Sequence, residues 1–143
     1  MRPTGRQTEE AAVDSLEDHS GGERTAKRSR LALSAMFIGG GVNHFVNGPA
    51  YEAIVPPSLQ SRKREVVQIS GVAEILGGLA VLVGPARRHA GLGLIALLIA
   101  VFPANLYMAR EPERFKRIPR WALYARLPLQ PLMVLWAWRA TRR

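Results

Sequence analysis

Seven polar side chains stand inside stretches that are otherwise apolar: Asn43, His44, Gln68, Glu74, Asn105, Arg126 and Gln130. Polar and ionisable groups are expensive in an apolar surround, so each asks for a partner or a function. Away from the ends of those stretches Glu74 is the single acid and Arg126 the single base. Two chemistries are open to them. They can form one buried ion pair that fixes helix register. Alternatively, Glu74 binds or relays a proton, or holds a polar ligand head, while Arg126 balances its charge. His44 reads as a hydrogen-bonding pocket wall. One histidine and one glutamate are no ligand set for a metal. A bis-histidine haem within the chain is excluded, since His19 falls in the N-terminal tail and His89 in a connection at the opposite face. With no cysteine at all, the chain cannot supply a disulfide, a thiolate nucleophile or an iron–sulfur cluster. Any redox role needs a bound organic cofactor or a partner subunit.

The elements that must position these groups are four apolar runs, at 31–46, 66–83, 90–108 and 121–140. A helix rises about 1.5 Å per residue, so each run nearly matches a hydrocarbon core about 30 Å thick. In lipid the backbone must satisfy itself, which makes the runs helical. The 90–108 run has no polar face, and a bundle of 143 residues has too little protein to wrap it. The expected fold is therefore all-α, a transmembrane four-helix up-and-down bundle over 30–143. Residues 1–29 mix acids and bases with Gly21 and Gly22, and are expected to be a disordered charged tail with a transient helix around 9–16. They do not read as a cleavable signal peptide, because the first apolar run waits until Leu31.

Antiparallel threading sets the depth of each polar group. Asn43, His44, Gln68, Asn105 and Arg126 all lie toward the face that carries the first long connection. Glu74 and Gln130 lie roughly 12 to 14 Å in from the ends of their runs by helical rise. The expectation is a polar pocket opening toward that face, with Glu74 at its floor. Ser70, Gly71, Gly77 and Gly78 allow the second helix to approach a neighbour closely. Pro103, Pro128 and Pro131 free the carbonyls of Ile99, Tyr124 and Leu127, either as acceptors beside Arg126 or as a by-product of packing kinks.

The net charge of +9 raises nucleic acid as a partner, but the basic residues cluster at the ends of apolar runs, where they meet lipid headgroups. The lipid bilayer is the partner this placement implies. Four spans put both termini on one side. Lys and Arg favour the cytoplasm for that side by a narrow margin. The stretch from Gly91 to Ala96 matches a dinucleotide-binding pattern, yet it sits inside an apolar run and follows no strand, so it is set aside.

At these residues the chain resembles the DoxX-like family of small four-span bacterial membrane proteins. The likeness is carried by 43–47 (NHFVN), 54–57 (IVPP), 70–78 (SGVAEILGG), 101–109 (VFPANLYMA) and 126–131 (RLPLQP). The resemblance implies a bacterial plasma-membrane location, with Glu74, Asn105, Arg126 and Gln130 as motif residues. It further implies an accessory or quinone-associated subunit of a membrane redox complex, with redox or sulfur-metabolism proteins as partners. The polar tail and the glycines at 39–41 depart from that pattern. Two readings of another class stand beside it: a small carrier or lipid- and proton-handling protein, and a structural assembly factor. Homo-oligomerisation is compatible with all three, and a non-catalytic role is favoured over an enzyme.

Overall fold

The computed structural model describes the backbone of residues 5–142 and the side chains of residues 21–142. It is all-helical, with no strand among the described residues. Helix α1 spans Gly5–Val46, α2 Gly48–Ala53, α3 Lys63–Leu82, α4 Arg87–Arg110 and α5 Arg120–Thr141. Short 3-10 turns at Pro57–Arg62 and Pro112–Phe115 lead toward α3 and α5. Proline explains most of these boundaries. Pro49, Pro57 and Pro112 sit in the first turns of their elements, where a missing amide proton costs nothing, and extended Pro119 caps α5. Within α4 and α5 the helix continues through Pro103, Pro128 and Pro131.

The tail expected to be disordered over 1–29 is helical from Gly5 onward, and residues 1–4 lie outside the described residues. The physical reason is cooperativity. Once the apolar part of α1 is nucleated, each further residue adds one hydrogen bond, and Glu23 four residues before Lys27 supports the exposed turns. The Thr25 hydroxyl also donates to the Gly21 carbonyl at 2.9 Å. At 42 residues α1 is about 63 Å long, twice the hydrocarbon thickness, so it extends well beyond its packed part.

Helix α1 packs along α3, α3 along α4 and α4 along α5, while α1 meets α5 far less. At the end bearing the C-terminus, Leu33, Phe37, Val81, Leu94, Ala137 and Ala140 form a core, with Trp136 against it. There Arg30 Nε donates to the Ala140 carbonyl at 3.2 Å, and Trp136 Nε1 to the Ser29 hydroxyl at 2.9 Å. At the opposite end Met108, Phe115 and Leu123 form a smaller cluster with Ile54, Tyr107 and Ile118.

Two segments, Pro57–Leu82 and Arg87–Arg110, are long and apolar enough to cross a membrane. Only 28% and 17% of their apolar windows are buried by the protein itself. Large side chains such as Ile69, Leu76, Leu92 and Ile99 point outward. A soluble core helix buries its apolar surface, so these outward faces support a membrane location.

Candidate functional site

The site begins with glycines. A Cβ at Gly41 would lie 2.5 Å from the Gly71 carbonyl oxygen, and one at Gly71 would lie 2.9 Å from His44 Cβ. Missing side chains on both helices thus let α1 and α3 approach backbone to backbone. Gly78 repeats the contact two turns on, against Ile38 and the Ser34 carbonyl, while Gly77 faces α4 through Leu94. At Gly71, Gly77 and Gly78 an added Cβ would lie within 3.0 Å of a neighbouring helix.

This approach brings His44 to Glu74. The His44 Nε2 to Glu74 Oε1 distance is 3.6 Å, and both side chains are largely shielded. His44 Nδ1 lies 3.1 Å from the Val67 carbonyl oxygen. A carbonyl only accepts, so Nδ1 carries the proton and Nε2 faces the carboxylate. Gly40 completes the setting: Glu74 Oε2 lies 2.8 Å from where a Cβ on Gly40 would stand. The carboxyl group occupies space that only glycine leaves open.

The expected Glu74–Arg126 ion pair does not form. Among the described residues the ionisable side chain that faces Glu74 is His44, whereas Arg126 Nη1 reaches Met108 Sδ at 3.8 Å. Helical rise set the two residues near one depth but said nothing of rotation about each helix axis.

His44, Ser70, Glu74, Asn105 and Arg126 nevertheless line one cavity of about 310 Å³. Its other walls are mostly apolar, including Val66, Val67, Val101 and Ala104. That volume, with few convergent polar groups on apolar walls, suits a small organic head group. Ser70 adds a further observation. It is 93% buried, as its relative exposure of 7% shows, and its hydroxyl has no hydrogen-bond partner among the described residues. A buried donor left unsatisfied is costly, and because the oxygen itself has under 1 Å² of accessible surface it meets the cavity only if the side chain turns. Ser70, expected in helix packing, is buried on α3 and also belongs to the cavity wall.

The remaining residues separate. Gln130 is buried but lies outside this cavity. Its carbonyl oxygen accepts from Asn105 Nδ2 at 2.6 Å, and its amide donates to the Leu98 carbonyl. The cross-helix bond to the α4 backbone thus goes to Leu98, one residue before the carbonyl expected to be freed by Pro103. Asn43 is exposed and lies beside the site. It donates to the Tyr51 hydroxyl at 2.8 Å and accepts from Asn47 at 2.5 Å. Gln68 is exposed on the outer side of α3 and has no place on the cavity, because it sits two residues from Ser70 on a helix that turns 100° per residue.

Tyr51, Ile54, Val55, Pro56 and Leu59 also line the cavity, and polarity could not single them out. They belong to α2 and the turn after it, which fold over the site. The Tyr51 and His44 rings lie 3.9 Å apart between centroids. Gln60 Nε2 donates to the Val55 carbonyl at 2.5 Å, and Lys63 pairs with Glu52 at 3.4 Å. The signal available in sequence was an aromatic and four apolar or proline residues in a connection otherwise read as a loop.

A family model described as a domain of unknown function, DUF8561, matches residues 33–141. The chain belongs to that family. The DUF8561 match starts and stops on buried residues, Leu33 and Thr141, so it coincides with the packed bundle and leaves out the first part of α1. Every wall of the cavity lies inside the DUF8561 region. No curated protein and no solved structure matches the chain.

Proposed function

We propose that the chain is a four-span membrane protein of the DoxX-like type whose cavity seats a quinone head group. In this reading it serves as an accessory subunit of a redox complex in the bacterial plasma membrane. The single observation that carries the ligand is the His44–Glu74 pair, two facing ionisable groups on the wall of one mostly apolar cavity.

The four spans are supported by packing. The two helices that meet the length and hydropathy requirement are flanked by α1 and α5. A bilayer that holds α3 and α4 must take in α1 and α5 as well, and Phe45, Val46, Leu129, Leu132 and Leu135 are exposed on their outer faces. The family likeness is supported by position: each of the five stretches that carry it contributes at least one residue to the cavity, from His44 and Ile54 through Ser70 and Val101 to Arg126.

The residues suit a quinone head. Its carbonyl oxygens need donors, which Ser70, Asn105 and Arg126 can offer, and its ring needs flat apolar walls, which the valines and Pro56 offer. His44 and Glu74, with one proton able to sit on either side, can hold a proton next to a carbonyl oxygen. A bound quinone would supply the electron-carrying chemistry that this cysteine-free chain lacks. Purification in mild detergent followed by lipid extraction tests the reading. Quinone should co-purify with the wild type and fall to background in Glu74→Gln and in Ser70→Val. Absence of quinone from the wild type, with no redox partner retained, overturns it.

A carrier without redox role is the second reading, favoured by Arg126, an exposed residue bordering the cavity on a helix with two internal prolines. Proteoliposomes showing a substrate flux or a pH response abolished by Glu74→Gln would favour it over the first.

A further inference from the structure

On the far side of Val101, Asn105 and Arg126 lies a second space of about 310 Å³, an open groove between α4 and α5. Its other walls are Leu98, Leu129, Gln130 and Met133. Val101, Asn105 and Arg126 border both spaces, so a single layer of side chains separates groove from cavity. That layer is unevenly held. Asn105 is tied to Gln130, while the exposed Arg126 side chain touches Met108 Sδ at 3.8 Å. Guanidinium on so flexible a stem can swing without disturbing the helices.

The two spaces differ in chemistry. His44, Ser70 and Glu74 all face the cavity, whereas Leu98, Leu129 and Met133 belong to the groove alone. Both spaces are mostly apolar and Gln130 also lines the groove, but the facing ionisable pair His44 and Glu74 lies in the cavity alone, so a head group and its tail would divide in that order. The connection side offers a poorer route, because α2 and the turn after it lie over the cavity and are pinned by Asn43, Gln60 and Lys63.

We infer that the α4–α5 groove is the tail subsite for the ligand whose head occupies the cavity. The ligand is accordingly a long-tailed, membrane-dissolved amphiphile received from the side of the bundle. This rests on the cavity being a head-group site, as proposed above. In lipid the groove adds packing and not water exclusion, so its effect is to select and orient.

The test uses the full-length protein in phosphatidylcholine nanodiscs and two quinones sharing one ring, one with a decyl tail and one with methyl in its place. Leu129→Trp and Met133→Trp fill the groove without touching the cavity; Leu132→Trp, on the exposed outer side of α5, lines neither space and is the control. Each groove variant should weaken the decyl quinone by about tenfold while the tail-less quinone stays within about twofold and the control changes neither. Met133→Trp decides the matter if Leu129→Trp does not fold. Equal weakening of both quinones, or an unchanged affinity for the decyl quinone, overturns the tail subsite while leaving the head site standing. Failure of the wild type to bind either quinone removes the head site, and the tail subsite with it.

Discussion

Glu74 has its position from three neighbours on α1: Gly40, which leaves room for its carboxyl group, Gly41, which lets α3 come close, and His44, which pairs with it. These residues can be separated experimentally. At Gly41 an added methyl meets a backbone carbonyl that cannot yield, so Gly41→Ala should lower stability by about 1–3 kcal/mol, seen as a lower melting temperature in detergent. Gly39 has nothing within reach of a Cβ, and Gly39→Ala should be neutral or stabilise by roughly 0.5 kcal/mol. Between them, Gly40→Ala meets only the flexible end of Glu74. It should leave melting nearly unchanged yet weaken quinone retention, because the carboxyl group is pushed from its seat; unchanged retention would show that its position does not matter. Gln130→Leu removes two cross-helix bonds and leaves the Asn105 amide short of a partner. A loss of roughly 1–2 kcal/mol is expected from thermal melts, with Asn105→Leu in the same background costing little more.

At the scale of elements, α2 and the turn after it form a cover on the site and not a slack connection. The cover is held by few bonds, among them Asn43 to Tyr51, which ties the body of α2 to α1. Asn43→Ala should raise hydrogen exchange across 48–62 by about three- to tenfold, the effect of losing roughly 1 kcal/mol of local stability, with exchange in α4 unchanged. A change spread evenly over all helices would mean instead that Asn43 supports the whole bundle. Further along the bundle, Ser29 and Arg30 join α1 to α5 through their bonds to Trp136 and Ala140.

For the whole molecule, the decisive property is that apolar surface faces outward on the two most hydrophobic helices. The absence of cysteine makes the four-span arrangement directly testable. Gly84→Cys lies in the α3–α4 turn and Lys116→Cys in the α4–α5 connection. A membrane-impermeant maleimide should label them from opposite faces of sealed vesicles. Labelling of both from the same face would remove α4 as a span, and with it the proposed four-span arrangement.

Much of this was legible beforehand. Apolar runs are local signals, and three of the four expected helices, at 66–83, 90–108 and 121–140, begin and end within three residues of α3, α4 and α5. Depth was legible too, because helical rise and antiparallel threading are enough to bring His44, Glu74, Asn105 and Arg126 to one cavity. What rise cannot provide is rotation. A turn of 100° per residue sends Gln68 outward two places from Ser70, and places Asn43 outside the cavity that His44 lines. Nor can it tell which neighbour an acid meets: Glu74 finds His44 and not Arg126 because the Gly41–Gly71 contact brings α1, and not α5, within its reach. Composition and periodicity along one strand of chain thus determined the helices and the level of their polar groups. The pairing, the cover and the two adjoining spaces were decided only when those helices packed, because each depends on atoms far apart in sequence.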